Sequence, residues 1–139
     1  SNIPVIAAAG GNVVFAGTDP NKLDNGYFVV INHSGGSNEA TGFTTRYLHL
    51  KAGSITVSRN QIVQQGDRLG YMGNTGLSFG THLHFGVRYN NSGFSTVPET
   101  AKVVMDGWLL KSFQTECAVN GSGVPTNFIR YYRSGNRAY

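Results

Sequence analysis

Four histidines carry most of the chemical potential in this chain: His33, His49, His82 and His84. Two of them stand in Gly80-Thr81-His82-Leu83-His84-Phe85-Gly86. On a β-strand, residues i and i+2 leave the same face. Both imidazoles are therefore expected on one side, with Leu83 and Phe85 on the other. Two neighbouring imidazoles on a strand suit one metal ligand and one acid/base group. The stretch 73–80 before them holds Gly73, Gly76 and Gly80 and has to be a loop with unusual backbone angles. Its small residues leave room for a substrate chain. His49 lies in Arg46-Tyr47-Leu48-His49-Leu50, where Tyr47 and His49 are expected to share a face. It joins the pair if its strand lies beside theirs. His33 ends an apolar run before Ser34-Gly35-Gly36 and reads as a surface histidine at a strand end.

The elements that must position these side chains are strands. The chain has 139 residues, enough for one domain with a modest core. Only 13% of residues are charged, against about a quarter in typical domains. Glycine is abundant, and valine, threonine and aromatics are frequent, which favours short strands and many turns. Strands are expected at 12–16, 27–33, 43–50, 62–63, 68–72 and 81–89, with a short piece at 55–57. The 43–50 strand reads as the antiparallel partner of 27–33. Residues 97–104 read as a short helix or an extended connector. Residues 108–119 and 128–133 read as a closing hairpin. The class is all-β and mostly antiparallel.

The net charge of +4 leaves an acidic polymer open as a partner. The Lys and Arg residues are scattered, with the densest group at Arg130, Arg133 and Arg137. No basic run interleaves with aromatics, so no nucleic-acid partner is expected. No apolar run reaches the roughly 20 residues of a membrane span. The single cysteine, Cys117, has no disulfide partner within the chain and reads as a buried free thiol or as one whose partner lies outside these residues. The opening Ser1-Asn2-Ile3-Pro4 reads as a mature or engineered start rather than a native Met start.

The blocks Pro4-Val5-x-Ala7, Gly11-x-Val13, Gly26-Tyr27 and Tyr47-Leu48-His49-Leu50 occur in that order. Gly66, Leu69-Gly70, Gly73-x-Thr75-Gly76 and Gly80-Thr81-His82-Leu83-His84-Phe85 follow. Together they resemble the lysostaphin-type, or LytM-domain, zinc metallopeptidases over residues 3–88. The resemblance implies a compact antiparallel β-sheet core, duplicated hybrid motif-like, with long loops walling a groove. It implies a peptidase core over 1–100, with 101–139 as a C-terminal β extension packed on the same domain. It implies a zinc-dependent (Zn2+) endopeptidase that cuts peptide stems or cross-bridges of peptidoglycan. His84 matches the family's zinc ligand, and His82 and His49 match its two catalytic histidines. Tyr47, Gly76, Gly80 and Thr81 are the expected substrate-groove residues, although Tyr47 also fits an ordinary half-buried strand aromatic. The implied setting is a secreted, periplasmic or wall-associated monomer, with anionic wall polymers as further partners.

The family's other two zinc ligands come from a His-x-x-x-Asp motif shortly before the Pro-Val-x-Ala block. No His-x-x-x-Asp occurs among these residues, and Asp19, Asp24 and His33 lie in the wrong segments. The expectation is that a segment preceding Ser1 supplies the pair. The alternative is a non-catalytic wall-binding or regulatory domain of the same fold. A carbohydrate-binding module with Trp108, Tyr131 and Tyr132 as stacking platforms is a further alternative.

Overall fold

The computed structural model describes residues 2–90, 99–100, 103–105 and 108–110. The chain divides into two compact units, Ser1–Ala101 and Lys102–Tyr139.

The first unit is built on antiparallel β-sheet. Its strands are β1 (Pro4–Ile6), β2 (Gly11–Gly17), β3 (Tyr27–Asn32), β4 (Gly42–Leu50), β5 (Ile62–Val63), β6 (Arg68–Tyr71), β7 (His84–Asn90) and β8 (Glu99–Thr100). Six of them form one sheet in the order β5-β2-β3-β4-β7-β8, and β1 pairs with β6 in a second. The one helical element among the described residues is a 3-10 turn at Leu23–Asn25. No described helix is long and apolar enough to cross a membrane.

β3 reads Tyr-Phe-Val-Val-Ile-Asn, apolar on both faces, because it is covered on both. Val29 and Ile31 join Val13, Tyr47, Leu50 and Val63 and pack with Val5 and Leu69 of the small sheet and with Ala7 just after β1. Phe28 and Val30 point the other way, to Val14, Leu48 and Phe15. Each fully buried aliphatic side chain here contributes about 1.5–3 kcal/mol. The expected antiparallel pairing of 27–33 with 43–50 is present, running from Tyr27↔Leu50 to Asn32↔Thr44.

Two irregularities bend the large sheet. Between Tyr27 and Val29 the β3–β4 register shifts, so that Leu48 and His49 together oppose Phe28. His49 there adopts φ 62°, the left-handed region that side chains other than glycine seldom enter. The alternation slips by one, and Tyr47 and Leu50 end in the same core cluster. A similar shift between Val13 and Phe15 puts the neighbours Val14 and Phe15 on one face, both against the Phe28 cluster.

The first shift corrects the strand expected at 81–89. The ladder between β4 and β7 ends at Leu48↔His84, because β4 turns out of plane at His49. His82 therefore precedes the strand and is held by an isolated bridge to Gly73. Residues 55–57 form no strand, although Thr56 N–H donates to the Leu69 carbonyl.

In the second unit β9 (Val103–Met105) pairs antiparallel with β10 (Trp108–Leu110). Trp108 thus has its partner in Met105. The remainder of the hairpin expected at 108–119 and 128–133 lies outside the described residues. So do Cys117, Tyr131, Tyr132, the arginines at 130, 133 and 137, and any packing of the extension.

Candidate active site

The rings of His49, His82 and His84 lie together, although their backbones belong to a bulge, a loop and a strand. The centroid of His49 is 4.9 Å from that of His82 and 5.6 Å from that of His84. His49 is 5% exposed and its Nδ1 donates to the Thr75 carbonyl at 2.8 Å. A carbonyl only accepts, so Nδ1 of His49 carries a proton and Nε2 is the ring nitrogen left uncommitted. His82 follows the same logic: Nδ1 donates to the Gly80 carbonyl at 2.8 Å, with Ser78 Oγ at 3.2 Å. His84 is exposed at the start of β7. Partial desolvation by the surrounding protein, then the nearby His49, His82, Arg46 and Arg88, hold its pKa below the usual histidine value even though its surface is open to solvent. It is thereby kept neutral, the form that ligates a metal.

The glycine-rich loop is clamped to the sheet beneath it. Thr75 Oγ1 donates to the Leu50 carbonyl at 2.6 Å and accepts from Tyr27 N–H at 3.0 Å. The Leu77 N–H donates to the Asp24 carbonyl at 2.9 Å. Gly76 has φ 77°, and a Cβ there would strike the Asp24 carbonyl and the Gly26 nitrogen. Gly26, at φ 63°, is packed as tightly against Thr75. The two glycines let the loop and the 3-10 turn close on each other. Beyond this clamp Leu77, Gly80 and Thr81 are exposed, and Phe79 is 92% exposed.

The groove expectation for Tyr47 is corrected. The ring is 1% exposed, tilted 5.4 Å from Phe85, and its hydroxyl accepts from Ala8 N–H at 2.8 Å. The slip at His49 puts Tyr47 on the core face, away from the histidines. Gly76, Gly80 and Thr81 are all exposed, but a side chain at Gly76 would run into Asp24 and Gly26, whereas one at Gly80 would meet open space. His33 is not a loose surface histidine. Its Nδ1 donates to the Gly10 carbonyl at 2.7 Å and its Nε2 meets Thr45 Oγ1 at 2.7 Å, tying the β1–β2 connection to β4. Thr75, which orients His49, was not anticipated. Its one signal in sequence is a hydroxyl between glycines in a loop that must be anchored.

Basic groups lie on the sheet face that carries His84. Glu39 receives Lys22 at 2.9 Å and Arg46 at 3.5 Å, and Lys22 is also 4.0 Å from Asp19. The Arg46 guanidinium sits 5.7 Å over the Phe28 ring, and its Nε is buried without a partner.

Among the described residues, no group of three or more His, Cys, Asp or Glu side chains is arranged to hold a metal. His84 is an imidazole donor suited to zinc, but the described residues do not complete a ligand set.

The family model for Peptidase family M23 matches residues 1–96. The chain is 39% identical over 82 residues to the peptidoglycan DD-endopeptidase ShyA of Vibrio cholerae, covering 59% of this chain and 16% of that protein. The chain thus spans about one sixth of the length of this curated relative. Its fold is similar to a zinc-containing peptidase from Vibrio cholerae, with TM-score 0.50 and 35% identity over 62% of this chain and 23% of that one. It is also similar to the catalytic domain of lysostaphin from Staphylococcus simulans, with TM-score 0.56 and 26% identity over 71% of this chain and 67% of that one.

Proposed function

The chain belongs to peptidase family M23, and from that premise we propose that it is the greater part of the catalytic domain of a zinc-dependent endopeptidase cutting peptide stems or cross-bridges of peptidoglycan. The observation that carries this reading is the meeting of His49, His82 and His84, with rings 4.9 and 5.6 Å apart and two of them held through Nδ1 by loop carbonyls. Such a wall substrate implies a secreted, periplasmic or wall-associated setting.

In this reading His84 is a metal ligand. A catalytic zinc site takes about three protein ligands, and this reading takes the others from a His-x-x-x-Asp segment and not from the described residues. His82, with its proton on Nδ1, offers Nε2 to the attacking water, takes its proton and passes it to the leaving amine. His49 stabilises the oxyanion. With Nδ1 committed to Thr75, it can donate from Nε2 only as the imidazolium. Gly80 and Thr81 line the substrate path beside His82. The incomplete ligand set favours a second reading, a non-catalytic wall-binding domain of the same fold.

The test is zinc stoichiometry beside the rate of peptidoglycan hydrolysis, in the full-length protein and its variants. His84→Ala should lose zinc and activity together. His82→Ala and His49→Ala should retain zinc and lose about 10²–10⁴-fold in rate. The 139-residue chain alone should bind zinc weakly and hydrolyse poorly. A full-length wild type that binds wall material without zinc or cleavage would leave the non-catalytic reading standing.

A further inference from the structure

The β4–β7 register sets His84 opposite Leu48, Gly86 opposite Arg46 and Arg88 opposite Thr44. Residues two apart on a strand share a face. His84, Gly86 and Arg88 thus form one row, with Leu48, Arg46 and Thr44 beside it. Leu48 packs with Val14, Phe28 and Val30, and Arg46 lies over Phe28, so this is the face away from the main core.

The two arginines are differently committed. The Arg46 side chain is 8% exposed and engaged with Glu39, which also holds Lys22. Arg88 is half-buried; it is near enough to Glu39 to help lower the pKa of that carboxyl, but no carboxylate oxygen lies within 4 Å of it among the described residues. A Cβ on Gly86 would meet nothing within 4 Å, so the floor between His84 and Arg88 is open. A guanidinium with no direct carboxylate contact among the described residues, beside a second cation and at the end of an open strip leading from the histidines, complements a carboxylate. The planar fork of arginine matches that group through two parallel hydrogen bonds.

We propose that Arg88 is a specificity-determining residue that binds a free carboxylate of a peptide lying along Gly86, a few residues from the bond at His84. An extended chain advances about 3.3 Å per residue, so the carboxylate lies about two to four residues from the reacting bond. The substrate class is an acidic, unamidated peptide. This rests on the peptidase reading, which fixes His84 as the reacting end of the strip.

One stem-peptide sequence is made in three forms: free acid, C-terminal amide and side-chain amide. Binding of each to the full-length protein is measured by calorimetry, and cleavage of each by chromatography. The wild type should bind the free acid about tenfold more tightly than one of the amides, and that amide identifies a terminal or a side-chain carboxylate as the group read. Arg88→Gln should erase the difference with zinc content and melting temperature unchanged, and Arg88→Lys should keep part of it. Equal binding of all three forms, no binding of any, or an equal loss for all three in Arg88→Gln would overturn the proposal. A wild type that prefers the acid but cuts nothing refutes the peptidase reading and leaves carboxylate recognition intact. One that cuts and binds all three alike refutes the recognition alone.

Discussion

His49 and His82 stand 4.9 Å apart, ring to ring, and both are held at Nδ1 by carbonyls of one loop, Thr75 for His49 and Gly80 for His82, each at 2.8 Å. The loop thereby sets the same tautomer on both rings and leaves Nε2 as the reacting atom of each. Its anchoring to β3 and β4 through Thr75 links the chemistry of the site to the packing of the sheet.

At His49 the left-handed backbone inverts the usual order of small residues in a strand. His49→Gly should be more stable than His49→Ala by about 1 kcal/mol, since only glycine adopts φ near 62° without cost. Both should be inactive. Chemical denaturation of the two variants checks this. An alanine variant at least as stable as the glycine one would mean the backbone is not held in that region.

Two glycines of the loop should respond in opposite ways. Gly76→Ala meets a left-handed φ and the backbone of Asp24 and Gly26, so it should destabilise by about 2–4 kcal/mol and displace Thr75. Gly80→Val faces open space and should change stability by less than about 0.5 kcal/mol. Its bulk beside His82 should nonetheless slow turnover. Melting temperatures and hydrolysis rates measured together separate the two effects.

Glu39 should make stability depend on acidity. Burial raises its pKa, but Lys22, Arg46 and, least, Arg88 outweigh this and hold it below the usual carboxylate value. A depressed pKa means that the unfolded chain takes up the proton first. The stabilisation is then complete above about pH 4.5 and is lost as pH falls through the folded-state value. Glu39→Gln should flatten that acid limb and, by leaving Arg46 unpaired, cost about 1–3 kcal/mol at neutral pH. Urea denaturation from pH 3 to 7 is the measurement, and an unchanged acid limb in the variant would exclude Glu39 as its source.

Tyr47→Phe tests the core position of that ring. Losing the contacts of the hydroxyl with Ala8 N–H and Thr45 Oγ1 should cost about 0.5–1.5 kcal/mol. The hydrolysis rate should stay close to wild type, because the ring is buried away from the histidines. A large rate loss at unchanged stability would return Tyr47 to the substrate path.

The residues alone determined the all-β class, the pairing of 27–33 with 43–50, and the peptidase family. Those are carried by short contiguous blocks, such as alternating apolar runs and Gly80-Thr81-His82-Leu83-His84-Phe85, whose meaning is local. The tertiary structure decided the geometry around the histidines. His82 and His84 do not share a strand, and Tyr47 and His49 do not share a face. Both differences follow from the register shift opposite Phe28, which depends on how β3 and β4 pair and not on residues 47–50 themselves. Thr75 reaches His49 across 26 positions, and Gly76 meets Asp24 and Gly26 only once the loop is seated. A pattern of period two records which side chains alternate. It does not record where a bulge ends the alternation, because the left-handed residue at the bulge is held there by contacts distant in sequence.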